Sequence, residues 1–251
     1  MLNEKIKAIL GILFLPFILF NCSPTYLPNV ISTPSLSEKN DIHIGGYLGL
    51  SGLDGQLAFA ATDNIGLMVN GSYIGKNNNS DDNYQEHKFI EFGTGYFTEV
   101  NSSLNFEVYG GYGFGNLKSA SSGDGFFLPP YTSNSVKLKR FFIQPSFLSV
   151  RKDKLFSISL SSRFSFLKAK QDLTKYFWYS TFSEEINLTE NYSKFFIEPV
   201  LTSKIGNENI KGVIQIGFSF LLNNKEFDDF SYQPLIMSYG VNINLNNVFG
   251  N

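Results

Sequence analysis

The sequence is poor in the residues with which proteins bind metals or perform thiol chemistry. Its 251 residues include one cysteine and two histidines, so a disulfide within the chain is impossible and a metal site has few ligands. Neither a G-x-S-x-G nucleophile motif nor a phosphate-binding loop is present. We therefore predict no metal, no cofactor and no enzymatic activity.

Charge is also scarce. Charged residues make up 17% of the chain, against about 25% in a typical soluble domain. The net charge of −2 leaves no basic face, so we expect no nucleic-acid partner. Helical periodicity of apolar residues is missing as well, which argues against a helical domain.

Aromatic residues and strict alternation are abundant instead. The chain contains 26 Phe and 13 Tyr, both of which favour β-sheets. The clearest stretch is 155–168, LFSISLSSRFSFLK, in which bulky apolar residues alternate with small or polar ones. The apolar set is Phe156, Ile158, Leu160, Phe164 and Phe166, and the opposite set is Ser157, Ser159, Ser161, Arg163 and Ser165. A period of two predicts a strand with one aromatic face and one polar face.

Ten segments of this kind follow one another along the chain. They cover residues 41–50, 55–61, 65–74, 88–98, 104–115, 136–150, 155–168, 194–205, 210–222 and 231–245. From the second segment onward, short turns alternate with longer polar connections at 75–87, 116–135, 169–193 and 223–230. Outer-membrane barrels have this arrangement, with tight turns on the periplasmic side and long loops outside.

The polar face is too small to form a packed core. Gly and Ser dominate it, whereas a soluble core needs large apolar side chains at high density. We predict an all-β fold: a single up-and-down antiparallel transmembrane barrel of about ten strands over residues 41–251, with a narrow polar lumen. The alternative is a soluble calyx-type barrel, tethered by a lipid and binding an apolar ligand. In that alternative Phe156, Ile158 and Leu160 would point inward.

The N-terminus has the features of a targeting segment. Lys5 and Lys7 precede an apolar run at 8–20, which is shorter than the roughly 20 residues that cross a bilayer. We predict a lipoprotein signal peptide at 1–21. Residues 22–40, rich in Pro, Ser and Asn, are predicted to form an extended tether outside the barrel. With an even number of strands, both ends of the barrel domain would lie on the periplasmic side.

The end of this run, LFNC, resembles a bacterial lipobox, with Leu19 three residues before Cys22. The resemblance implies cleavage before Cys22 and a covalent diacylglycerol and acyl chain (palmitate) at that residue. Asn21 departs from the small residue usual before the cysteine. An ordinary signal peptide with an incidental cysteine is the alternative.

Six charged residues fall on the predicted lumen face: Glu91, Glu107, Arg140, Arg163, Glu198 and Lys211. Counting from the turns, we expect Glu91 to lie near Glu107 and Arg140 near Arg163. Like charges so placed need opposite charges to offset them, so we predict a structural salt-bridge network. A polar binding site or a narrow ion path is the alternative.

A short motif recurs at the start of strands that follow long connections. It reads Phe89-Ile90-Glu91, Phe142-Ile143-Gln144 and Phe196-Ile197-Glu198, with a related Tyr232-Gln233 at the start of the last predicted strand. We expect the Glu and Gln side chains to face the lumen. The leading aromatic residues are expected to join the interfacial girdle of a membrane barrel.

Two features of the predicted loops allow other functions. His87 follows Asp81, Asp82 and Glu86, which permits a hypothesis of an outer-membrane hydrolase with His and Asp residues at the loop rim. Tyr176, Phe177, Trp178 and Tyr179 form an aromatic stretch that could contact an extracellular protein or glycan. A loop folded over the barrel mouth, or a strand extension, explains the same residues without a partner.

Several segments together resemble the outer-membrane β-barrel lipoproteins of Bacteroidetes. They are the lipobox, the Pro-containing tether, GGYLGLSGLDGQLAFAATDNIGLMVNGSY, FIEFGTGYF, FEVYGGYGFG, RFFIQPSF and FIEPVLTSKIG. The resemblance implies an outer-membrane location and a structural or surface-interaction role, and it carries no catalytic residues. The tail at 246–251 departs from many such barrels, since it does not end on an aromatic residue.

Overall fold

A computed structural model describes residues 24–76, 83–122, 131–150, 155–178, 183–223 and 230–245. The predicted signal peptide and Cys22 lie outside these ranges. The strands are β1 (Ile42–Gly49), β2 (Gly52–Ala60), β3 (Ile65–Ile74), β4 (Tyr84–Asn101), β5 (Leu104–Ser122), β6 (Tyr131–Val150), β7 (Phe156–Trp178), β8 (Ser183–Gly206), β9 (Ile210–Phe218), β10 (Phe220–Leu221) and β11 (Leu235–Asn244). Within the described ranges, no helix has the length and apolar character to cross a membrane.

The strands close into an antiparallel barrel. Each of β1 to β8 pairs with its neighbours in chain order, β1 also pairs with β11, and β11 pairs with β9. β9 and β10 both pair with β8 in one register, Val200 opposite Gly217 and Ile197 opposite Phe220, so they occupy a single position in the wall. The barrel therefore has ten strand positions, which confirms the predicted architecture.

The two faces of the wall have the predicted sense. Leu160 is 58% exposed on the outside, whereas Ser161 is 1% exposed inside. Ile158 is also exposed, opposite to the inward orientation that the soluble calyx requires. The exposed large apolar residues of the other strands, among them Phe92, Phe147 and Leu201, form an apolar outer surface, because period-two alternation places them on the same side of the sheet.

The wall is much taller on one side. β4 to β8 have 18 to 24 residues, whereas β1, β2, β3, β9 and β11 have 8 to 10. A membrane crossing needs about 9 to 11 residues, so β4 to β8 continue beyond it. We call the end with the short turns, such as Asn207–Asn209, the turn end, and the opposite end the loop end.

The long loops are shorter than predicted. Most residues of 116–135 and 169–193 belong to β5, β6, β7 and β8, which continue past the apolar surface. Beyond the apolar surface the outer face turns polar, as at Lys137 and Lys168, while inward residues such as Val136 stay buried. The ladder of backbone hydrogen bonds therefore persists without the outward apolar residues that would reveal it in the sequence.

The predicted tether is wrong for residues 24–36, whereas residues 37–40 are exposed. Residues 24–36 lie inside the barrel, where almost all of them are buried, including Tyr26, Asn29, Ile31 and Leu36. They run from the loop end to the turn end, where the chain enters β1. The extended, polar composition that indicates a tether is equally suited to a segment that hydrogen-bonds with a polar lumen.

Candidate functional site

The middle of the lumen holds a network of four buried charges. Glu91 comes from β4, Arg140 from β6, Arg163 from β7 and Glu198 from β8, and none is more than 1% exposed. Nε of Arg163 lies 2.5 Å from Oε2 of Glu198, and Arg140 forms an ion pair with Glu91. Nη1 of Arg163 is also 3.8 Å from Oε1 of Glu91. Two positive and two negative side chains thus neutralise one another in a site that water does not reach.

Asn29 of the N-terminal segment joins three of these charges. Its Nδ2 donates to Oε1 of Glu91 at 3.1 Å. Its Oδ1 accepts from Arg140 at 2.6 Å and from Arg163 at 3.0 Å. One amide therefore satisfies acid and base together, which a carboxylate or an amine could not do.

Tyr26 completes the network. Its hydroxyl donates to Oε1 of Glu198 at 2.9 Å and accepts from Nη1 of Arg140 at 2.7 Å. A phenol hydroxyl can donate and accept at once, which suits its position between an acid and a base. The segment and the strands are thus held by charge-assisted hydrogen bonds, roughly twice as strong as neutral ones.

The recurring Glu and Gln residues face the lumen, as predicted, and contact this segment. Gln144 donates from Nε2 to the carbonyl oxygen of Ser32 at 2.6 Å. The backbone N–H of Gln233 donates to the carbonyl oxygen of Tyr26 at 3.0 Å. The motif therefore marks the positions on the wall that bind residues 24–36.

The aromatic residues of the same motif were assigned to the wrong face. Phe89, Phe142 and Phe196 are buried inside the lumen, because each stands two residues before the Glu or Gln and so shares its side of the strand. The Arg140 guanidinium lies 4.6 Å from the ring centroid of Phe89, a cation–π contact. The rings of Phe196 and Tyr26 are 4.9 Å apart.

The predicted pairing of like charges is wrong for the two carboxylates. Glu91 lies opposite Gly113 and Glu107 lies opposite Phe97, so the two carboxylates are well separated along the hairpin. The β4–β5 turn sets this register, and Glu91 stands further from the turn than Glu107 does.

The two arginines do lie close together, as predicted. Both donate to Oδ1 of Asn29, although Arg140 is directly opposite Leu167 rather than Arg163.

Glu107 and Lys211 belong to the turn end rather than to the central network. Glu107 is buried within reach of the charge of Lys204. Lys204 donates to Oγ of Ser35 at 2.9 Å and to the carbonyl oxygen of Thr33. Lys211 is half-buried at a cavity of about 190 Å³ that Lys204 also lines. Lys204 was not predicted, although its even-numbered position in β8 places it on the same face as Glu198.

His87 does not lie on a loop rim. It belongs to β4, is fully buried in the lumen, and has Nε2 2.9 Å from Oγ of Ser72. Glu86 pairs instead with Lys88 at 2.5 Å, and Asp81 and Asp82 lie outside the described residues. Among the residues that the structure describes, no carboxylate hydrogen-bonds to His87, so the arrangement that the hydrolase hypothesis needs is not found there.

The aromatic stretch is partly strand. Tyr176 and Phe177 lie near the end of β7, half-buried, and the Tyr176 ring is 5.5 Å from that of Tyr131. Trp178 ends the strand, while its side chain and Tyr179 lie outside the described part of the chain. A strand extension above the apolar surface therefore accounts for Tyr176 and Phe177.

Comparison with known proteins identifies the fold. Neither a family model nor a curated protein matches the chain. Among solved structures, the outer membrane protease OmpT from Escherichia coli is 10% identical, with a TM-score of 0.54, covering 86% of this chain and 99% of its own. The KdgM porin in complex with disordered oligogalacturonate is 13% identical, covering 81% of this chain and 98% of its own, with a TM-score of 0.33. CarO of Acinetobacter baumannii is 10% identical, covering 85% and 100%, with a TM-score of 0.20.

The likeness to OmpT shows the fold alone. Together with the apolar outer surface, it defines the chain as a ten-stranded β-barrel of the outer-membrane type.

Proposed function

We propose that this protein is an outer-membrane lipoprotein whose lumen is closed by its own N-terminal segment and whose role is structural or in surface interaction at the loop end. The observation that carries the proposal is the seating of residues 24–36 in the lumen by side chains of the wall. The apolar outer surface supports a bilayer as the surroundings of the wall, since exposing so many large apolar side chains to water is unfavourable.

A closed lumen argues against a transport role. Main-chain and side-chain groups of the segment are paired with the wall along its length. Nε2 of Gln215 donates to the carbonyl oxygen of Ile31 at 2.9 Å, and its Oε1 accepts from the N–H of Ile31 at 2.9 Å. A solute could pass only if these bonds and the charged network were broken together.

The direction of the segment bears on the lipid anchor. Thr25 lies at the loop end, where its N–H donates to the carbonyl oxygen of Ser231 at 2.9 Å. The three residues of chain from Thr25 to Cys22 span at most about 11 Å, so on this proposal Cys22 is modified near the loop end rather than on the periplasmic side. The diacylglycerol and acyl chain would then enter the outer leaflet.

The tall wall supports a role at the surface. β6, β7 and β8 continue well past the apolar surface, and they would present both faces to the medium beside the lipid anchor. An extracellular protein or glycan is the kind of partner such a wall would contact. Membership of the Bacteroidetes lipoprotein family agrees with this role and stays a prediction.

The side on which the N-terminus emerges can be tested directly. We expect an epitope inserted between Ser23 and Pro24 to bind antibody on intact cells. The same epitope at Asn207–Asn209 should bind only after the outer membrane is permeabilised. Incorporation of an alkyne analogue of palmitate should be lost in Cys22→Ala, while the variant still requires detergent for extraction. Detection of the first epitope only after permeabilisation would contradict the proposed topology.

The closed lumen has its own measurement. In planar bilayers the wild-type protein should pass no steady ion current, whereas a variant lacking residues 24–36 should conduct. A conducting wild type would refute the closed lumen.

A further inference from the structure

Four exposed lysines stand side by side on the outer face of the tall wall. Lys137 and Lys139 lie on β6, and Lys168 and Lys170 lie on β7. Lys139 is directly opposite Lys168, and Lys137 is directly opposite Lys170. We call these four residues the lysine cluster.

The cluster repels itself and has little within the protein to offset that repulsion. Like charges directly opposite on one face of a sheet are destabilising. Lys139 and Lys137 face Phe114 and Asn116 on the β5 side, and Lys168 and Lys170 face Ser193 and Asn191 on the β8 side. None of the four lysines forms an ion pair with a residue that the structure describes.

Two nearby carboxylates do not fill this role. Asp172 lies one pair further from the apolar surface, opposite Ser135, and accepts a hydrogen bond from Thr189 at 2.8 Å. Glu86 is engaged by Lys88 on β4, with their charged atoms 2.5 Å apart. Lys88 thus has a carboxylate partner of the kind that the four lysines of the cluster lack.

The cluster stands at the edge of the apolar surface. The next outward pair towards the turn end is Phe141 with Phe166, followed by Ile143 with Phe164. Phe141 is 55% exposed, and its ring packs 4.7 Å from that of Tyr112. In a spanning barrel, an aromatic pair followed by polar residues marks the interface with the lipid headgroups.

We propose that the lysine cluster binds the phosphate groups of an anionic lipid in the outer leaflet. This rests on the proposed membrane orientation, with the loop end outside, but on neither the lipid at Cys22 nor the closed lumen. Each ammonium offers three donors. Opposite side chains of a strand pair stand about 5 Å apart at Cβ, so two lysines from different strands can converge on one phosphate. Lys168 also lies over the ring of Phe166, with its Nζ 5.8 Å from the centroid, but this contact does not neutralise its charge. The bound anion would relieve the repulsion that no described carboxylate offsets.

The test is lipid binding by the purified full-length protein in neutral detergent. The probe is a bisphosphorylated lipid A, with its dephosphorylated form as comparison, and bound lipid is counted by native mass spectrometry. Lys139→Ser with Lys168→Ser should weaken binding about 30-fold, on the basis of roughly 1 kcal/mol for each basic residue near a charged surface. The matched control, Lys39→Ser with Lys175→Ser, removes the same charge outside the cluster and should leave binding unchanged. Lys139→Arg with Lys168→Arg should retain it.

Several results would overturn the proposal. They are an equal loss in the control pair, equal binding of the dephosphorylated lipid, or displacement of the lipid by millimolar inorganic phosphate, which would indicate a site for free phosphate. If the lipid does not bind while the N-terminal epitope is exposed on intact cells, the proposed lipid site is refuted and the proposed topology stands. Unaltered lipid binding with an epitope that is hidden on intact cells would refute the proposed topology and, with it, the outer leaflet as the source of the lipid.

Discussion

The middle and the turn end of the lumen are both polar, but the N-terminal segment fills only the middle completely. In the middle, Asn29 and Tyr26 supply side chains that complete a neutral set of two arginines and two glutamates. At the turn end, the only groups of the segment to which Lys204 donates are a carbonyl oxygen and a hydroxyl. A cavity of about 190 Å³ remains beside it. The segment therefore closes the lumen where its side chains match the charge of the wall.

The largest expected effect follows from breaking the central network. Arg163→Met leaves Glu198 buried without its closest cation, and removing one partner of a buried pair costs about 3–5 kcal/mol. We expect a correspondingly lower urea midpoint for unfolding, followed by circular dichroism in detergent. The double variant Arg163→Met with Glu198→Met should recover part of the loss, because no single charge is then stranded. A single variant as stable as wild type would show that the lumen is hydrated and the pair unimportant.

A smaller effect is expected from the segment itself. Asn29→Ala removes hydrogen bonds to three charged side chains. A hydrogen bond to a charged group contributes about 1.5–3 kcal/mol to the free energy of unfolding. Because those partners keep other bonds, we expect a net loss of about 2–3 kcal/mol. Ser35→Ala at the turn end should cost no more than about 1 kcal/mol, since Lys204 keeps the Thr33 carbonyl. If Asn29→Ala and Ser35→Ala lower the free energy of unfolding equally, the middle of the lumen is not held more strongly than the turn end.

The smallest effect is expected beside the cavity. Ser159 lines the cavity, and its Oγ is buried without a hydrogen-bond partner among the described residues. Ser159→Ala should therefore change the free energy of unfolding by less than about 0.5 kcal/mol in either direction, because no bond is lost. A loss above about 1 kcal/mol would mean that this hydroxyl is bound, for instance by water in the cavity, and that the turn end is more ordered than its direct contacts indicate.

Much of the wall was predictable. Alternation is a local property, so the ten strand positions follow from neighbouring residues alone. The outward sense of Leu160 follows from the small polar residues on the opposite face, which could not form a packed core. The heights of β4 to β8 were not predictable in the same way, since the apolar alternation stops where the membrane ends while the strand pairing continues.

The candidate site was predictable only in part. Residue type and parity placed Glu91, Arg140, Arg163 and Glu198 on the lumen face. Parity does not give depth along the barrel, so Glu107 and Lys211 were grouped with them wrongly. The same parity would have placed Phe89, Phe142 and Phe196 in the lumen, because they share the face of the Glu and Gln residues two positions later.

The order of adjacent side chains sets the two faces of each strand, and the small polar face cannot form a packed core, so an apolar exterior and a polar interior are encoded locally. What fills that interior depends on contacts between residues far apart in the chain. The bonds from Asn29 to Arg140 and from Tyr26 to Glu198 join residues 111 and 172 positions apart. These residues meet only because the barrel closes around the segment, so no pattern within the segment itself predicts their contacts.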